Sequence, residues 1–420
     1  HTRLRTVTGV QTCALPISGI AAAAYGFTAD PNKYFVPSTP TLPSTFDLAL
    51  TDPNYKMPQV WKNNLAVDQK LPWLGLVASV ELLYNKTINA VHYYNANLKA
   101  PVGTLLGADN RPLYGGTDAT VRVNGNVSMA AVLTNKDGAY NRSATFKLEK
   151  PIQKGLWGYV AYTAAKAEDY MDAGSIASGS WQSAVSVFGN NTLNLSTASN
   201  LVKNRIVGIL GYRKEYGKKY GGATTITLGY VGAQNNPFSY IVAGDLNGDR
   251  VSNNDLVYIP QNTADIRFSA LTVGTRVYTE AEQQAAFDAF IKQDPYLSTR
   301  RGQYAERNAL ALPFLHRFDL SVAQDLFVKI GGKRNAFQIR ADILNFGNML
   351  NNEWGVSQRA GAPQLLNFVS RDAAGVPTYR LATQRDAAGN TYLAKDTYQY
   401  NSSVFDVWTA QLGIRYTFGK

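Results

Sequence analysis

From Trp408 to Phe418 the chain alternates strictly. Trp408, Ala410, Leu412, Ile414, Tyr416 and Phe418 share one parity, and Thr409, Gln411, Gly413, Arg415 and Thr417 the other. Strand side chains point alternately to opposite faces, so this stretch predicts a strand with one apolar and one polar face. Its length, with aromatics near both ends, suits a strand of about 9–11 residues crossing a bilayer in a closed barrel. A half-buried edge strand of a soluble sandwich has the same period.

The same period recurs in pairs. Residues 73–86 carry Leu74, Leu76, Ala78, Val80, Leu82 and Tyr84 against Gly75, Val77, Ser79 and Glu81. Residues 140–150 and 155–170 flank a short connection containing Lys150, Pro151 and Lys154. Residues 204–216 and 223–234 flank 217–222, and residues 316–327 and 335–344 flank 330–334. Each pair predicts a hairpin, with glycine supplying the turn conformation. The stretches 171–203, 235–315 and 345–400 are instead long and polar, which is unusual for connections in a compact soluble domain. Short turns at one end and long loops at the other are the pattern of outer-membrane barrels. The predicted fold class is therefore all-β, an antiparallel transmembrane β-barrel with long extracellular loops and a small helical insert. Roughly ten strands are expected, either closing as a small barrel or forming the C-terminal half of a larger one, the second being favoured.

Composition supports this reading. Hydrophobic residues make up 45% of the chain, yet no apolar run approaches the length of a membrane helix. Tyr 25, Phe 17 and Trp 6 make it rich in the rings that gather at membrane interfaces. The +11 charge is scattered without a stripe or motif, so no nucleic-acid partner is expected. Asp319, Arg340, Asp342 and Arg415 fall on the polar parity. An Arg on the lipid face costs roughly 2–4 kcal/mol at mid-bilayer, which places that parity inward. Residues 1–18 hold the single Cys13 and differ in style from the rest of the chain. They are expected to be translated sequencing-adapter read-through, with a signal peptide as the competing reading, leaving 19–420 as the barrel part.

The candidate for bound chemistry is a turn holding Asp245, Asn247, Asp249, Asn253 and Asp255. Calcium takes six to eight oxygen ligands, and Asp and Asn at alternate loop positions supply them. The final acid comes one position early, and Arg250 stands where such loops usually have Gly. A surface cluster of turn-forming residues is the plainer reading. Residues 279–293 predict a helix, with Glu280 and Glu282 in its first turn and Phe287, Phe290 and Ile291 on one face. His92 and His316 have no acidic partner at metal-ligand spacing, and no catalytic motif is present, so no enzyme is expected.

Several segments resemble a known family. Residues 57–73 (Met57 through Trp61 and Asp68 to Trp73), Pro237 to Tyr240, Gly244 to Asp249 and Asn254 to Pro260 are similar to TonB-dependent receptors. Arg307-Asn308, Pro313-Phe314, Arg317 to Ser321, Gln324 to Leu326, Ala341 to Phe346 and Leu350 to Trp354 continue the similarity in order. The branch resembled is the Oar-like, OmpA-related group that carries a carboxypeptidase-regulatory-like domain. The resemblance implies a 22-stranded plugged barrel in a Gram-negative outer membrane, crossing it many times and driven by the TonB complex through an N-terminal part this chain lacks. Expected partners are outer-membrane lipid, that complex and an extracellular ligand. The alternatives are an adhesin or structural barrel, and a soluble secreted carbohydrate-binding β-protein.

Overall fold

A computed structural model describes residues 45–418 apart from 175, 218, 219, 235, 236 and 374. The expectation for residues 1–18 lies outside this range. A ten-stranded sheet dominates. Its main path runs through β1 (Gln59–Lys70), β2 (Val77–Ile88), β3 (Tyr140–Gln153), β4 (Leu156–Asp169), β5 (Asn204–Gly217), β6 (Tyr220–Gln234), β7 (Leu315–Ile330), β8 (Lys333–Leu344) and β9 (Thr409–Thr417). Each strand pairs antiparallel with the next in the chain, and Ser196–Thr197 adds a short pairing to β4. Among the described residues β1 and β9 do not pair, so the sheet is an open wall, a partial barrel.

The register carries the alternation from strand to strand. Tyr212, Ile226, Val322, Ala341 and Leu412 stand opposite one another across five strands. The next row on that face is Leu210, Leu228, Leu320, Ile343 and Ala410. The opposite face carries the polar set. Arg213 Nη2 pairs with Asp325 at 2.9 Å, and Gln338 Nε2 donates to Asp325 Oδ1 at 2.7 Å. Thr145 and Thr163 share a hydrogen bond at 2.9 Å, and Arg340 Nε donates to Asp342 Oδ1 at 2.8 Å.

Strand ends differ in kind. At one end β3 meets β4 through Lys154 (φ 51) and Gly155 (φ 85), and β7 meets β8 through Gly331 (φ 58) and Gly332 (φ 79). Two consecutive left-handed residues match the twist of a two-residue hairpin. Strand β3 reaches three residues beyond the expected end, with Pro151 at a register shift where its missing N–H leaves no ladder bond open. Trp73 to Leu76 belong to the β1–β2 turn instead of the strand, since Leu74 (φ 58) and Gly75 (φ 60) are left-handed.

At the other end all four connections are long: 89–139, 170–203, 235–314 and 345–408. They fold together into one cap with its own core. That core draws Leu105 from the first connection, Val187 from the second, Tyr240, Val257 and Ile259 from the third, and Leu365, Leu366 and Leu381 from the fourth. A five-stranded mixed sheet ties the last two together, in the order Asp255–Leu256, Ile241–Ala243, Gln364–Arg371, Pro377–Leu381, Arg267–Phe268. Helix α1 (Glu280–Gln293) forms as its sequence predicts: Glu282 N donates to Thr279 Oγ1, and Thr279 N donates to Glu282 Oε2. Phe287, Phe290 and Ile291 are fully buried, each stabilising the cap by roughly 1.5–3 kcal/mol.

Candidate functional site

The turn from Asp245 to Asp255 is the point where the four long connections meet. Gly244 and Asn253 close its neck: Asn253 N donates to Gly244 O at 2.9 Å, and Gly244 N donates to Asn253 Oδ1 at 3.0 Å. Asp245 Oδ1 accepts from the backbone N–H of Gly248 and Asp249, and its Oδ2 from that of Arg250. Arg250 takes the left-handed conformation (φ 71) where glycine is usual. Gly248 (φ 77) cannot be replaced freely, because a Cβ would stand 3.0 Å from Tyr114 O.

Each connection contributes a contact. Tyr114 N donates to Asn247 O and Gly116 N to Gly248 O from the first. Ser186 N donates to Asn254 O, and Leu256 N to Ser186 O, from the second. Arg371 of the fourth donates through Nη2 to Leu246 O. Arg111, wholly buried, is the largest tie. Its Nε donates to both Asp109 oxygens at 3.0 and 2.9 Å, Nη1 to Asp255 Oδ1 at 3.1 Å, and Nη2 to Leu256 O at 2.6 Å. Burial opposes its charge, but Asp109 and Asp255 overcome that and hold its pKa above the ordinary value.

The turn's own acids are less well matched. Burial, reinforced by Asp255 and Asp245, pushes the Asp249 carboxyl up to about 7. Burial raises Asp255 to about 6 against the pull of Arg111, and Tyr114 to about 12 with help from both acids. Asp245 is also raised, chiefly by burial. Four carboxylates (Asp109, Asp245, Asp249, Asp255) thus face two guanidiniums, Arg111 and Arg371.

Asp245, Asn247, Asp249 and Asp255 all lie within this one turn. Asn253 is different. It is exposed, left-handed (φ 64), and spends its oxygen on the neck of the turn. Its neighbour Asn254 is the residue turned inward, 1% exposed, with Nδ2 donating to Asp249 Oδ2 at 3.4 Å and Oδ1 without a partner. Among the described residues no three His, Cys, Asp or Glu side chains converge as a ready metal-ligand set, so any set here must draw on carboxamide oxygens. Arg111, Tyr114 and Arg371 lie in other connections and nothing in their local sequence marks them.

Beside the turn lies a cleft of about 460 Å³. Ser186, Phe188, Thr192, Tyr304 and Arg307 line it, with Phe188 and Tyr304 edge to face at 6.2 Å. Arg307 is held by Asp169, yet its Nε is buried without a partner. His316 and His92 take no part: His316 Nδ1 shares a hydrogen bond with Tyr230 Oη at 2.7 Å on the apolar face near the long-loop end of the sheet. His92 is buried in the strand Ala90–Asn95, where burial and the charge of Lys136 push its pKa down to about 4.

An antiparallel meander whose one face exposes aliphatic and aromatic side chains on every strand, while the other is hydrogen-bonded and charged, is the wall of a bilayer-spanning barrel. Leu412, Ile414 and Trp61 are each more than 60% exposed on it. No helix among the described residues is long and apolar enough to cross a membrane. The family model for an outer membrane beta barrel domain matches residues 2–368. The chain belongs to that family and is an outer-membrane protein, which sets aside the soluble carbohydrate-binding alternative. No curated protein and no solved structure matches the chain.

Proposed function

We propose that this chain is the ligand-capturing part of a receptor in a Gram-negative outer membrane, one that takes up its ligand with energy from the TonB complex. The observation that carries this is the cap. Four connections leave one end of the wall and pack into a single body with a fully buried core and a polar, aromatic-edged cleft. Loops that merely joined strands would not need such a core. The cap is read as extracellular because long loops of this class of barrel face outward and short turns face the periplasm. The ordered resemblance from residues 57 to 354 supports the TonB-dependent branch. The work is conformational, with ligand entering the cap and passing along the polar face of the wall, and no covalent step is assigned.

The test uses the full-length native gene product in its outer membrane. Cells expressing it are offered labelled siderophores, glycans and peptides, with and without a protonophore. Accumulation that stops when the inner membrane is de-energised is the expected result. Surface binding that survives the protonophore, with no accumulation of any ligand, would sink the uptake reading and leave an adhesin.

A further inference from the structure

The unpartnered Asn254 oxygen and the surplus of negative charge occur in the same place. Asp249 Oδ2 is met only by two carboxamides, Asn247 Nδ2 at 3.2 Å and Asn254 Nδ2 at 3.4 Å, both long for hydrogen bonds to a carboxylate. Asn247 is fixed, because its Oδ1 accepts from Asp249 N at 2.9 Å. Asn254 has no such constraint. Its amide nitrogen makes only that one weak contact, and its oxygen makes none although the side chain is almost wholly buried. A buried amide oxygen left unmade costs about 1–3 kcal/mol, which a native core does not normally tolerate without a ligand or water. Turning the carboxamide over would put an oxygen beside the carboxylate where a donor now sits.

We propose that the Asp245–Asp255 turn holds one calcium-like divalent cation, with the Asp249 carboxylate and the Asn254 carboxamide oxygen as inner ligands and water completing the shell. Hard oxygen donors of mixed charge and a buried, uncompensated carboxylate are what such an ion takes. The ion would offset the excess of carboxylates over Arg111 and Arg371. Because this turn touches all four long connections, binding locks the cap as a unit. The site is independent of what ligand the receptor carries, and its failure would leave the uptake reading untouched.

The experiment is calcium titration of the chelator-stripped full-length protein in detergent, by calorimetry and by equilibrium dialysis with radioactive calcium. One ion per chain is expected, with Kd no weaker than about 10⁻³ M, the range of extracellular modules. Asn254→Ala and Asp249→Asn should each weaken it at least about tenfold. Asn254→Asp separates ligation from folding, since a charged oxygen at that position should tighten binding, whereas a purely structural asparagine would give no gain. Heat-modifiable gel mobility confirms that each variant keeps its barrel. No stoichiometric binding at 10 mM calcium, about ten times the weakest of those constants, overturns the site. Binding that all three variants leave unchanged does so too.

Discussion

Replacing Arg111 with alanine should open the cap while leaving the wall intact. The guanidinium is fully buried and serves Asp109, Asp255 and the carbonyl of Leu256. Removing it strands two carboxylates in a site that water does not reach. Deleting one partner of a buried ion pair typically costs about 3–5 kcal/mol, because the remaining charge is left uncompensated. At about 1.4 kcal/mol per decade that is a hundredfold to a few thousandfold in the population of the open cap. Hydrogen exchange reads this directly. The amides of Tyr114 and Leu256, which donate to Asn247 O and Ser186 O, should lose protection by that factor. The amide of Leu228, in the middle of β6, should not change, because its ladder bonds do not depend on the cap. Arg111→Lys should fall between, since an ammonium cannot reproduce the forked contacts. If Arg111→Ala alters the cap amides by less than tenfold, or alters Leu228 equally, the turn is not the tie that joins the connections.

Three further outcomes rest on the same geometry. Leu228→Arg should lose roughly 2–4 kcal/mol of membrane stability, seen as a smaller folded band on a heat-modifiability gel, whereas Thr227→Arg on the opposite face should assemble normally. Phe287→Ala should remove about 3–5 kcal/mol from the cap and sensitise the 235–314 connection to protease without unfolding the sheet. Asp249 and Asp255 have folded pKa values of about 7 and about 6, above their unfolded values, so the folded cap binds more protons than the unfolded one. The contribution of these two acids to stability is therefore fully present below about pH 4, the unfolded value, and lost as pH rises through those folded values. In chelator the cap should exchange faster at pH 8 than at pH 5; no difference between the two would refute the burial of these acids.

The wall is readable because its signals are local. Alternation at 204–216 and 335–344, with glycines between partners, needs no knowledge of distant residues, and the register of β5 to β9 comes from it. Where alternation misleads, it carries turn residues into a strand: Leu74 has the right parity but the wrong backbone. The helix is legible from Glu280 and Glu282 in its first turn and from Phe287, Phe290 and Ile291 on one face, and the structure adds the reciprocal cap between Thr279 and Glu282. The first long connection does not stand out among the hairpins, although Gly107, Asp109, Asn110 and Gly115-Gly116 are turn formers. The cap's pairings join segments such as Asp255–Leu256 and Ile241–Ala243, too short for any period to show. Counting ligand positions selects Asn253 over Asn254, but the loop's backbone, left-handed at Arg250 and Asn253, turns differently from the count.

The neighbour-to-neighbour order of the wall has a consequence for how the molecule assembles and changes. Arg111 and Asp255 are 144 residues apart, and Arg371 lies 125 from Leu246. In an unfolded chain each such contact closes a long loop, at an entropic cost that grows slowly but starts high. Once each strand has paired with the next, both ends of every long connection are held about one strand spacing, some 4.8 Å, apart. Pairing of the wall thus leaves the cap only short closures to make, because its segments are then held close together. The cap is thereby free of the period-two alternation that the bilayer-spanning part must keep in order to fold by its own short-range rules.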